Sequence, residues 1–156
     1  MIGILIIAHG KLGDSLIDCA SHVLGHRPPQ MSHLVVDKQD DPAILIAKAQ
    51  QLIAELNDGD GVLVLSDMYG ATPCNVVTKL IKPNVVEGVA GANLPMLVRT
   101  LTYRDVPLKV LVEKALSGGR EGVVHFTDKG CDWQSDKEPS NSEILVESNQ
   151  SESKTR

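Results

Sequence analysis

Gly3-Ile4-Leu5-Ile6-Ile7-Ala8-His9-Gly10 is the stretch whose reading decides the fold. Its apolar run at 4–7 is too short for a helix and is dominated by β-branched isoleucine. A short run that is apolar at every position reads as a strand covered on both faces, the habit of parallel sheets packed between helices. The run stops at His9-Gly10, and open α/β sheets bind ligands just beyond the carboxyl ends of their strands. His9 therefore stands where such folds do chemistry. A single histidine closing a strand is also an ordinary polar residue, so the other strand ends must decide.

Working outward, Asp14 and Ser15 are N-cap candidates for a helix carrying Leu16, Ile17, Ala20, Val23 and Leu24 at helical spacing, with Gly25 as its stop. Pro28-Pro29 forces an extended connection into a second strand at 31–36. Asp41-Pro42 opens a second helix, because the missing proline N–H costs nothing in a first turn. Its stripe is Leu45, Ala49, Leu52, Ile53 and Leu56. A third strand at 61–65 runs into Ser66-Asp67-Met68-Tyr69-Gly70-Ala71-Thr72-Pro73. There Thr72 reads as an N-cap and Pro73 as the first helical residue, with Val76, Val77, Leu80 and Ile81 facing inward. A fourth strand at 85–90 is closed by Gly91-Ala92-Asn93. Two helical segments follow, at about 94–104 and 107–117, then a break at Gly118-Gly119 and a short fifth strand at 122–126. The alternation predicts an α/β, doubly wound open sheet, mainly parallel, of order 2-1-3-4. The fifth strand lies at an edge or is exchanged with a second copy in a homodimer.

Composition sets the bounds. A chain of 156 residues that is 42% hydrophobic and only 3% aromatic builds one core from Val, Leu, Ile and Ala. A formal charge of −5 gives no general attraction to nucleic acid or to anionic membranes. No apolar run approaches the ~20 residues of a membrane span. The N-terminus lacks the basic region and cleavage site of a signal peptide. Cys19, Cys74 and Cys131 are scattered without metal-ligand spacing, which suits a reduced, cytoplasmic protein with no metal or cofactor. Residues 1–126 are expected to form the domain. Residues 127–156 are acidic and serine-rich, with Ile144-Leu145-Val146 the one apolar run, and are expected to be a disordered tail.

Three strands end in polar residues, His9, Asp67 and Asn93. In a 2-1-3-4 order the first and third strands are neighbours and the winding reverses between them, so His9 and Asp67 face one another across a topological switch point. A carboxylate that accepts the proton of one imidazole nitrogen leaves the other nitrogen free as a nucleophile. The helix start at Thr72-Pro73 adds unpaired amides and a hydroxyl for an anion. Together these make a constellation for holding a phosphoryl group. The spacing of a P-loop, a G-x-G-x-x-G fingerprint and a G-x-S-x-G elbow are all absent from the sequence. Cys74 reads as a small packing residue, His22, His26 and Lys11 as surface residues, and His33 and His125 as strand residues with local hydrogen bonds.

Four motifs in order now carry a resemblance: Gly3 to Gly10, Ser66-Asp-Met-Tyr-Gly-Ala-Thr-Pro-Cys-Asn75, Gly91-Ala-Asn-Leu-Pro-Met-Leu97 and Gly119-Arg-Glu-Gly-Val123. They resemble the mannose-type enzyme IIA components of the bacterial phosphoenolpyruvate-dependent sugar phosphotransferase system. The resemblance implies a phosphotransferase in which His9 accepts a phosphoryl group from the histidine-containing phosphocarrier protein. His9 then passes it to an enzyme IIB, or its phosphorylation serves a regulatory output. By the same carry-over Asp67 orients His9, the Gly70, Ala71 and Thr72 loop surrounds the phosphoryl group, and the protein is a homodimer. The family commonly has a second glycine where Ala71 stands. The polar tail is no IIB domain, so a stand-alone IIA is expected. The alternatives are a purely regulatory, non-enzymatic binding protein and a tetrapyrrole metal chelatase-like enzyme. Chelatases also place His-Gly after a first strand but need a second histidine at that edge, where neither His33 nor His125 ends a strand. Histidine phosphatases need Arg where this chain has Ala8.

Overall fold

The computed structural model describes residues 1–68, 70, 72–128 and 130. The chain divides into two compact units, Met1–Val123 and Val124–Arg156. In the second, the Gly130 amide donates to the Thr127 carbonyl at 3.1 Å and closes a turn. The rest of the expected tail lies outside the described residues.

In the first unit, strands β1 (Gly3–His9), β2 (Met31–Val36), β3 (Val62–Ser66) and β4 (Val86–Ala90) form one sheet of order β2-β1-β3-β4, every pair parallel. The α/β architecture and the 2-1-3-4 order are as the sequence predicts. Successive β1 side chains supply two separate cores. Ile4, Ile6 and Ala8 pack with α1 (Leu12–Leu24), α4 (Leu94–Thr102) and α5 (Leu108–Glu121). Leu5 and Ile7 pack with α2 (Pro42–Leu56) and α3 (Thr72–Leu80). Burial of all five is complete or nearly so, each isoleucine or leucine being worth about 1.5–3 kcal/mol over an exposed position. β1 is thus the spine between two helical layers.

Several expectations change. Helix α1 starts at Leu12, so Asp14 lies within its first turn rather than capping it, and the N-cap position falls on Lys11. Thr72 is itself the first residue of α3, and Ile81 is exposed. Asn93 is the N-cap of α4, accepting from the Met96 amide at 2.9 Å and donating to the Gly119 carbonyl at 3.1 Å. It is a structural residue, and it fastens α4 to α5.

Gly118-Gly119 does not break a helix, since α5 runs through both to Glu121. These glycines serve close approach instead. A Cβ on Gly118 would meet the Arg99 Cβ at 2.8 Å, and one on Gly122 the Pro95 Cβ at 2.3 Å. Residues 123–126 form no fifth strand of this sheet, and His125 is correspondingly exposed and outside any strand. Their β-branched pattern suits a strand, but among the described residues they join no ladder, and a short unpaired segment has nothing to stabilise it as a strand.

Candidate functional site

β1 and β3 run in register with Ile7 opposite Ser66, which brings Asp67 alongside the end of β1. The Asp67 carboxylate takes three hydrogen bonds there. Oδ2 accepts from the His9 amide at 3.0 Å and pairs with His9 Nδ1 at 2.8 Å, while Oδ1 accepts from the Met68 amide at 2.8 Å. Burial pushes the Asp67 carboxyl up, but the bonds from the His9 amide, the His9 ring and the Met68 amide outweigh it and hold it below its ordinary value. It is therefore a carboxylate at neutral pH. A carboxylate accepts only, so Nδ1 carries the proton in this contact, and in the neutral form of the ring the lone pair is on Nε2.

The two side chains differ in access. That of Asp67 is 8% exposed and that of His9 is 43% exposed, so the pair offers an imidazole edge to solvent while its orienting group stays covered. Gly10 follows with φ +52, a left-handed turn that carries the chain off the sheet into α1. No side chain among the described residues caps α1, which leaves its first amides available two residues beyond Gly10.

His9 and Asp67, predicted to face one another, are in direct contact. Gly70 lies in the loop after β3 with φ +80, and Ala71 lies outside the described residues. Thr72 is exposed at the head of α3 and lines a cleft with Pro42, Ile46, Asn75 and Lys79. Cys74 is half-buried, His22, His26 and Lys11 are exposed, and His33 lies in β2. No cluster of metal-ligating side chains is found among the described residues. Nor is any helix among them long and apolar enough to cross a membrane.

Sequence reasoning passed over two features. One is the Met68 amide, a backbone donor with no sequence signal. The other is the turn at 37–40, which lines an open cleft of about 510 Å3 together with His9, Gly10 and Val36. A signal for the turn existed: only four residues separate the end of the second strand from the Asp41-Pro42 helix start, so they must sit at the same sheet edge.

Comparison with known proteins bears on the family and the fold. Residues 3–116 match the family described as the PTS (phosphotransferase system) fructose IIA component. The PTS mannose-specific EIIAB component of Escherichia coli (strain K12) is 34% identical over 125 residues, covering 78% of this chain and 38% of that protein. This chain thus spans well under half the length of that relative. The PTS fructose-specific EIIA component of Bacillus subtilis (strain 168) is 28% identical over 121 residues, covering 75% of this chain and 82% of the relative. Among solved structures, the phosphotransferase system component EIIA from Streptococcus agalactiae superposes with a TM-score of 0.71 at 26% identity, covering 80% of this chain and 97% of that one. The mannose/sorbose specific IIA subunit from Enterococcus faecalis shares the fold, with a TM-score of 0.72 at 20% identity, covering 81% of this chain and 95% of that one. The chain belongs to the mannose-type IIA components of the sugar phosphotransferase system.

Proposed function

We propose that this IIA component is a phosphocarrier whose acceptor atom is His9 Nε2, and that the histidine-containing phosphocarrier protein is its donor. The observation that carries the reading is the 2.8 Å contact between His9 Nδ1 and the covered Asp67 carboxylate, with the other edge of the ring open. In the forward step the Nε2 lone pair forms a bond to phosphorus. The phosphorus–nitrogen bond of the donor's phosphohistidine breaks, and its electron pair returns to the donor imidazole. The His9 ring, still protonated at Nδ1, gains positive charge that the Asp67 carboxylate offsets. The proton stays in place, which suits a carrier that must run the step in reverse toward an enzyme IIB. Gly70, Ala71 and Thr72 are proposed to surround the phosphoryl oxygens. The cytoplasm is the compartment this donor requires.

The test is to incubate the chain with phosphoenolpyruvate, enzyme I and the phosphocarrier protein, and to map phosphohistidine. Label is expected at His9 and absent from His9→Ala, while His33→Ala and His125→Ala label normally. Full labelling of His9→Ala would falsify the assignment.

We also infer a homodimer. β4 is an edge strand of the sheet, and the apolar residues Val123, Val124 and Phe126 belong to no strand of it. Exchange of such a segment is a low-cost route to a two-fold dimer. Sedimentation equilibrium at micromolar concentration is expected to give twice the chain mass, and a monomer throughout would exclude it.

A further inference from the structure

The cleft beside His9 has a far wall, and that wall carries a cation. β1 and β2 are parallel with His9 opposite Val36, and adjacent strands lie about 4.8 Å apart. The turn at 37–40 therefore begins one residue beyond the level of His9, and it lines the same cleft of about 510 Å3. The turn is closed twice over. The Asp40 amide donates to the Asp37 carbonyl at 3.2 Å, and the Asp37 amide donates to the Asp40 carboxylate at 2.8 Å. Its backbone is held while the side chain of Lys38, the second residue of the turn, stays exposed.

The charges of the turn are not equivalent. One Asp40 carboxylate oxygen is engaged by an amide of the turn itself. Lys38 forms no ion pair among the described residues. The chain as a whole carries a formal charge of −5, so a phosphoryl dianion approaching His9 meets a repelling molecule and needs local positive charge. An ammonium is a compact point charge on a flexible stem, suited to a group that arrives and leaves.

We infer that Lys38 binds the phosphoryl group on His9, pairing its ammonium with the non-bridging oxygens from the β2 side of the cleft. The inference rests on the phosphocarrier reading of His9. Lys38 takes no part in proton transfer, and its ligand is the phosphoryl dianion rather than the protein that delivers it. Asp37, on the same turn, opposes the effect.

Two donors separate these possibilities: the phosphorylated phosphocarrier protein, and phosphoramidate, a small anion that phosphorylates imidazole without any protein surface. Lys38→Gln is expected to slow phosphohistidine formation about tenfold with both donors, the scale of one charge-assisted contact. Lys38→Arg should recover to within about threefold, and Asp37→Asn should accelerate the reaction. Raising ionic strength about tenfold should slow the wild type relative to Lys38→Gln, because screening weakens the attraction that the substitution has already removed. Equal rates for wild type and Lys38→Gln with phosphoramidate overturn the inference. A loss confined to the protein donor also overturns it, making Lys38 a docking contact. If the wild type forms no phosphohistidine at His9 with either donor, the carrier reading has failed and this inference falls with it. Label at His9 with no Lys38 effect sinks the inference alone.

Discussion

The two ends of the sheet each hold an ionisable side chain in a hydrogen-bond network, and they use it in opposite ways. At the amino end Arg104, 5% exposed, donates from Nε to the Ile2 carbonyl at 2.7 Å, from Nη1 to Pro29 at 2.5 Å and from Nη2 to Gln30 at 2.6 Å. At the carboxyl end His9 gives one ring nitrogen to Asp67 and leaves its side chain 43% exposed. Arg104 spends its donors joining the segment after α4 to the starts of β1 and β2. Burial pulls its guanidinium below the ordinary value, against the attraction of Asp58 and Asp105. The His9–Asp67 pair stops one bond short of closure. A network satisfied on all sides is a clasp, whereas one with an open nucleophilic edge is a site.

If that contrast holds, substitutions at the two ends move different quantities. The largest expected effect is Asp67→Asn, which keeps the size and an accepting oxygen but removes the charge. Transfer to His9 should slow on the order of ten- to a thousandfold, measured as the rate of phosphohistidine formation. Unfolding free energy should fall by no more than about 1–2 kcal/mol. A wild-type rate would break the pairing of roles. Arg104→Ala should do the reverse. It leaves the buried Ile2 carbonyl without this donor and removes the bonds to Pro29 and Gln30 as well, at a cost of about 3 kcal/mol in urea unfolding. The transfer rate measured well below the denaturation midpoint should be unchanged. A variant as stable as wild type would mean that water replaces the guanidinium without loss.

Legibility in the sequence divides along the same line. β1, β2 and α2 could be read because their signals are local: an unbroken apolar run, a strand between two turns, an Asp-Pro cap. Their neighbours in the sheet followed from alternation, and the proximity of His9 to Asp67 followed from strand order. What escaped is tertiary. Gly118 and Gly119 resemble a helix break until α4 packs against them, because a missing Cβ serves close approach as well as chain flexibility. Asn93 reads like the third polar strand end of a site, yet its amide bridges two helices. Arg104 reads as the last residue of a helical segment, and its acceptors lie far away along the chain. The turn at 37–40 reads as a connection, and its place beside His9 depends on the β1–β2 register.

The smallest effect expected concerns acid. The folded protein holds the Asp67 carboxyl below its ordinary value of 3.8, because its three hydrogen bonds outweigh the penalty of burial. A depressed folded-state pKa means the unfolded chain binds the proton more readily. The group therefore contributes stability above its unfolded pKa and loses that contribution as pH falls through the folded one. Asparagine does not titrate. The gap in unfolding free energy between wild type and Asp67→Asn should accordingly be widest near neutrality and should narrow below about pH 3.8. At the other end burial lowers the Arg104 guanidinium from its ordinary value, yet it stays charged throughout this range. A change in the gap between wild type and Arg104→Ala is expected from Asp58 as it protonates. Asp58 is itself held below its ordinary value, chiefly by the N-terminal ammonium and Gln30, so this change begins late in the titration. Urea unfolding of the three proteins in steps from pH 7 to pH 3 measures both gaps. An Asp67→Asn gap that stays constant across that range would mean the carboxylate's hydrogen bonds stabilise its charged form no better than water does, and the orienting role given to Asp67 would lose its electrostatic basis.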